Sequence, residues 1–179
     1  MSIWSLRASE LRDLVASVRP TPGAGAVSCM CAAFATALIL KTLEMTRERA
    51  KAETTAAATQ LSNALHHRNI ALSHDADDDS AAFDSFLEAL ALPKSTADEK
   101  ALRQDVLARA ALAAAAVPID TAKNILAVVE IADSAARVVR IQFLDDILAS
   151  IDLLRGAGAA ALRSFDANVS SLKNLDDLS

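Results

Sequence analysis

The sequence predicts an all-α protein, a bundle of long antiparallel helices. Three observations predict it. Alanine and leucine dominate the 179 residues, and these residues cost least in a helix. Aromatics make up 3% and tyrosine is absent, whereas strands favour aromatic and β-branched side chains. Glycine and proline, four each, are scarce. The length suits one domain spanning residues 1–179 with a sizeable core, and no internal repeat or long linker divides it.

The elements follow in order. Leu11, Leu14, Val15 and Val18 fall on one helical face and predict a first helix over residues 5–18. Pro20 and Pro22 end it, because each lacks a backbone donor and fixes φ. Gly23 and Gly25 then permit a tight turn and close approach of a ligand. A second helix starts near Ala24 and continues past Arg47 into a charged stretch. A third segment leads to His66 and His67. The polar, acidic run 73–79 predicts a turn, and 80–90 is helical again with Phe83, Phe86, Leu87 and Leu90 on one face. Pro93 closes that helix. Thr96 and Glu99 are spaced for a capping box opening the next, which lasts to Val117. Pro118 suits the first turn of another helix, whose buried stripe is Ala122, Ile125, Leu126, Val129 and Ala132. A last long helix runs over about residues 146–172.

Composition excludes several function classes. A net charge of −5 argues against a nucleic-acid surface. Residues 6–18 carry Arg7, Glu10, Arg12 and Asp13, so no signal peptide is read there. The apolar run 24–40 is marginal for a membrane span and rich in small residues, and it reads as a buried core helix. Cys29 and Cys31 lie two apart on that helix and point in different directions. They read as buried thiols of a reducing cytoplasm. His66, His67 and His74 lack metal-site spacing and read as surface histidines.

The stretch Pro-Thr-Pro-Gly-Ala-Gly at 20–25 is the most informative. A turn feeding a helix start presents N–H groups and a positive dipole end, a ready anion site. It resembles the Thr-Pro-Gly-Gly-Gly signature of the formiminotransferase-cyclodeaminase and methenyltetrahydrofolate cyclohydrolase family. Asp79-Ser-Ala-Ala-Phe83 is similar to that family's Asp-x-x-Ala-Phe. Leu92-Pro93-Lys94, with Thr96, Glu99 and Lys100 behind it, resembles its Leu-Pro-Lys segment, and Val117-Pro118 its Val-Pro. From Pro118 the match runs without a gap through Asp146 to Asn168. The resemblance covers roughly residues 10–172.

The resemblance implies a cyclodeaminase-like fold, a dimer, and a folate substrate with no separate cofactor; the residue spacing suggests no metal site. Asp79, read alone, is an acid beside Asp75, Asp77 and Asp78. The resemblance makes it a substrate contact or an acid/base, and it makes Asp146 a second catalytic carboxylate. Asp145 replaces a family serine, and both residues suit N-caps. Thr21, Pro22, Gly23 and Gly25 become a substrate-binding turn, Lys94 a cation for the folate's acidic tail, and Asn168 a further contact. Arg49 and Lys51 fall at basic family positions and read as a solvated face. Asp146 and Asn168 lie 22 residues apart on one helix, about 33 Å. One chain therefore cannot bring them to one site, whereas an antiparallel dimer sets the start of one helix beside the end of its mate.

Several family positions differ. Ala24 replaces the middle glycine and would be strained if φ > 0 were needed. Glu44 and Ser164 replace asparagines, Ala52 and Leu90 replace tyrosines, and 139–142 lacks the family's glycine–asparagine loop. The expectation is a cytoplasmic, homodimeric folate one-carbon enzyme, cyclodeaminase or cyclohydrolase. The alternatives are the same scaffold performing a related cyclisation or imine hydrolysis on another substrate, or a non-catalytic dimeric binding protein.

Overall fold

The computed structural model describes residues 2–48 and 50–173, with side chains through residue 170. Helices α1 (Ala8–Val15), α2 (Ala24–Arg47), α3 (Ala52–Leu90), α4 (Ala97–Ala136) and α5 (Leu144–Lys173) follow in order, with 3₁₀ turns at Ile3–Ser5 and Ile141–Phe143. There is no strand among the described residues. Short connections make successive long helices antiparallel neighbours. α2 packs on α3 and α5, and α4 packs on α3 and α5, closing a four-helix ring. Ile39, Leu43, Leu65, Leu72, Val128, Ile147 and Leu154 fill its centre. The run 24–40 is thus a core helix. α2 and α4 are long and apolar enough to span a membrane, but 67% of the apolar window of α2 is buried against its neighbours.

The helices differ in length, and this makes the site. α2 has 24 residues, α3 39 and α4 40. Asp79 of α3 lies level with the start of α2, where it bonds Ala26. α3 continues 11 residues further, to Leu90, about 17 Å of helix. The α3–α4 hairpin therefore overhangs the N-terminus of α2. Phe86, Ala89, Leu107 and Ala111 give the overhang its own small core. Arg103, buried, donates to the Leu90 carbonyl at 3.1 Å and so caps the C-terminus of α3, where a cation is favoured.

Four expectations are corrected. No turn interrupts 73–79, because each of three acids there finds a tertiary donor that holds it inside one continuous helix. Asp75 accepts from Thr121 and Asn124, Asp77 from the Ile3 amide and Asp79 from the Ala26 amide, while Leu72 and Ala76 of the same helix are buried. Pro118 lies inside α4, not at a helix start. An interior proline costs about 3 kcal/mol of helix propensity, and here buried Ala111, Ala115, Pro118 and Thr121 keep the helix packed through it. The first helix is only Ala8–Val15 and buries none of its residues, and Val18 is fully exposed. Of the two thiols, Cys29 is buried but Cys31 is exposed.

The capping box does form: Thr96 Oγ1 accepts from the Glu99 amide, and the Glu99 carboxylate accepts from the amides of Ser95 and Thr96. Those bonds hold the Glu99 carboxyl below its ordinary pKa. His66, His67 and His74 are exposed. Lys51 is exposed at the N-cap of α3, and Arg49 lies outside the described residues.

Candidate active site

The notch between the start of α2 and the overhang holds a cavity of about 200 Å³. Thr21, Gly23, Gly25 and Asp79 line it from the turn and α3, Phe83 and Ala114 from the overhang, and Ser164 and Asn168 from α5. A recess continues from it along Phe83, Phe86 and Ala111. The turn is tied to α3 by Thr21 Oγ1, which donates to Asp84 at 2.9 Å. The Thr21–Pro22 peptide is cis, and the Pro22 ring is buried, outside the cavity wall.

Gly23 is the N-cap of α2 and has no side chain with which to cap it. Asp79 does so from another helix. Its Oδ2 accepts from the Ala26 amide, the third residue of α2, at 2.8 Å. This is the bond an N-cap side chain ordinarily makes. The helix-start anion expected from the sequence is thus supplied first by the protein itself.

The same contact explains one glycine. A Cβ on Gly25 would occupy the space of the Asp79 carboxylate. No glycine has positive φ among the described residues. Ala24 is accordingly unstrained, and Gly25 is needed for close approach, not for a left-handed turn.

Burial pushes the Asp79 carboxyl above its ordinary pKa, and the Ala26 N–H partly offsets that. A carboxyl in a cavity, its proton affinity raised by burial and only partly offset by the helix-start N–H, suits proton transfer. One turn earlier on the same face, Asp75 accepts from Thr121 at 3.2 Å and from Asn124 at 3.1 Å, and Arg68 donates to Asn124 at 2.9 Å. Burial raises Asp75 as well. Cys29 contacts Thr121 at 3.3 Å. Its thiol is pushed up to about 12, chiefly by burial, so it is protonated and inert. This network pins α2, α3 and α4 together behind the site. Asp75 was legible only as a polar neighbour. The signal that it shares Asp79's face is their spacing of four residues.

One chain does not gather every expected residue. Lys94 stands exposed at the α3–α4 corner, at the far end of the overhang from Asp79. Asp145 is exposed at the start of α5. Asp146 accepts from Lys41 at 3.4 Å, on the end of α5 opposite Asn168. Asn168 does reach the cavity, and its Nδ2 donates to the Ala114 carbonyl at 2.6 Å. No group of three metal-ligating side chains occurs among the described residues.

Comparison with known proteins now decides the family. Residues 7–177 match the formiminotransferase-cyclodeaminase family. The chain belongs to the formiminotransferase-cyclodeaminase family. It is 30% identical over 167 residues to a methenyltetrahydrofolate cyclohydrolase of Methylorubrum extorquens, covering 92% of this chain and 78% of that one. Its fold is similar to the crystal structure of formiminotetrahydrofolate cyclodeaminase from Thermotoga maritima. The TM-score is 0.82 at 23% identity, over 98% of this chain and 87% of that one. The Asp79 segment and the start of α2 that follows the 20–25 turn are joined by the Ala26–Asp79 hydrogen bond, between residues 53 apart in sequence.

Proposed function

We propose that the chain is a folate one-carbon enzyme of the cyclodeaminase or cyclohydrolase type, with Asp79 as its acid/base. The observation that carries this reading is the half-buried Asp79 carboxyl in the cavity, its proton affinity raised by burial, in a chain of this family. In cyclohydrolysis, water adds to the methenyl carbon. Asp79 accepts a proton from that water, and a proton returns to the ring nitrogen as its C–N bond breaks, leaving a formyl group. In cyclodeamination, N10 attacks the formimino carbon, and the carboxyl protonates the nitrogen that departs as ammonia. Both reactions pass through a tetrahedral carbon and need one group that takes and gives a proton.

This reading seats the pterin in the cavity beside Thr21, Gly23 and Gly25. A folate laid along Phe83 and Phe86 runs up the overhang towards Lys94, whose ammonium suits the acidic tail. No separate cofactor is needed for either reaction.

A homodimer completes the reading. Leu126 and Leu162 are 60% and 48% exposed and edge an apolar groove between α4 and α5 with Val129, Gly158 and Ala159. Two α5 helices crossing there in antiparallel set Asp146 and Asp145 of each chain beside the end of the mate that carries Asn168. The two free thiols suit a reducing cytoplasm.

The second reading is a related cyclisation or imine hydrolysis on a non-folate substrate. It draws on Ser164 and Ala24, which line the cavity where the family resemblance expects asparagine and glycine. Assay of the purified chain with methenyl- and formimino-tetrahydrofolate separates the two. Turnover of either supports the folate reading. Neither turnover nor binding moves the site to another substrate.

A further inference from the structure

Pro118 has no N–H, so the carbonyl four residues earlier, Ala114, has no helical donor. Leaving such a carbonyl unpaired near the interior is unfavourable. The Asn168 amide fills the vacancy, at 2.6 Å from Nδ2 to the Ala114 oxygen. Ala114 and Asn168 both line the cavity. An asparagine side chain has one donor end and one acceptor end, and a carbonyl partner can take only the donor. The acceptor Oδ1 is then the end left for a ligand.

We propose that Pro118 is a positioning residue for substrate binding: the missing N–H draws the Asn168 amide onto Ala114 and holds Oδ1 as an acceptor for a ligand N–H in the cavity. The ligand edge this selects is an amine, amidine or ring N–H, the opposite of the anion that a helix start alone would favour. The proposal rests on the reading that this cavity binds the substrate.

Pro118→Ala restores the N–H and lets α4 close its own ladder. The variant is expected to melt higher than wild type by roughly 5 °C, since proline disfavours a helix interior. It is also expected to bind worse: KM for the turned-over folate rises about tenfold, with kcat changed less than about threefold, the scale of one misdirected hydrogen bond. On an Asn168→Ala background, Pro118→Ala should add nothing to KM. A purely structural proline predicts the higher melting point with KM unchanged, and that result overturns the proposal.

A second measurement does not depend on folate turnover. The side-chain NH₂ of Asn168, followed by ¹⁵N nuclear magnetic resonance, should exchange with solvent faster in Pro118→Ala than in wild type. Unchanged exchange overturns the positioning claim, even if the variant is less active. If wild type turns over no folate, the substrate reading fails while the exchange comparison still decides the role of Pro118.

Discussion

Asp79 and Asp146 occupy two ends of the bundle and meet opposite surroundings. Asp79 is half-buried in a cavity, and its partner is a backbone N–H fixed by the start of α2. Asp146 is 39% exposed, and its partner is the still more exposed Lys41 ammonium at 3.4 Å. The first partner cannot move without unwinding a helix. The second is the tip of a flexible chain in water, where ion pairs contribute little. One chain therefore builds a preorganised carboxyl at one end of the bundle only. Asp146 has no comparable setting within one chain.

The sharpest way to break this comparison is Asp79→Asn. Asparagine can still accept from the Ala26 amide but cannot shuttle a proton, so turnover should fall by about 10³-fold or more. Stability should move the other way. The folded-state pKa of Asp79 is raised, so the folded chain holds that proton more tightly than the unfolded one. Wild-type stability therefore declines as pH rises through the interval above the ordinary carboxylate value. The asparagine variant has no proton to lose there. Urea melts across that interval should show the variant gaining on wild type as pH rises. Equal pH slopes would remove burial as the cause of Asp79's behaviour.

Gly25→Ala attacks the same end without replacing any titrating group. The added Cβ takes the space of the Asp79 carboxylate, so the carboxylate must swing off Ala26. Turnover should drop by about 10²-fold, the order expected for displacing a catalytic group by an ångström, and the pH dependence of kcat should shift. A variant with wild-type kinetics would show that the Asp79–Ala26 contact is dispensable.

How much of this was legible in the sequence differs between the two ends as well. Helix composition, the Thr96–Glu99 capping box and the 20–25 turn are local signals, and they placed α2 and α4 correctly at their starts. The run 73–79 misled because polar residues at helical spacing look the same whether water or protein bonds them. Only the fold shows Thr121, Asn124, Ile3 and Ala26 waiting on the other side. Pro118 misled for the same reason, since a helix break is the local default and the compensating Asn168 lies 50 residues away. The cavity needed the unequal lengths of α2 and α3, which the false turn had hidden. Lys94 and Asp146 are motif positions whose neighbours no local pattern reveals.

Asp146→Asn sharpens the comparison at the second end. If a second copy brings Asp146 to the Asn168 end of its mate, turnover falls by about tenfold to 10²-fold. Mixing Asp79→Asn chains with Asp146→Asn chains then restores activity, because half the exchanged dimers carry one intact site. Recovery of about a quarter of wild-type activity is expected from that symmetry. Failure to recover, with sedimentation showing dimers that exchange subunits, would confine the chemistry to the Asp79 end.

Lys41→Ala carries the smallest expected effect and isolates the ion pair from the carboxylate it holds. Both partners are substantially exposed, at 58% and 39%, so each keeps most of its hydration and little Coulomb energy is at stake. The loss in unfolding free energy should be under about 1 kcal/mol and should vanish at high salt. Turnover should change less than about threefold, since Asp146 loses a flexible neighbour and keeps its place on α5. A larger loss of turnover at unchanged stability would mean that the ammonium itself reaches substrate in the mate's cavity. The two ends of the bundle would then be halves of one site, and the contrast between Asp79 and Asp146 would describe the isolated chain alone.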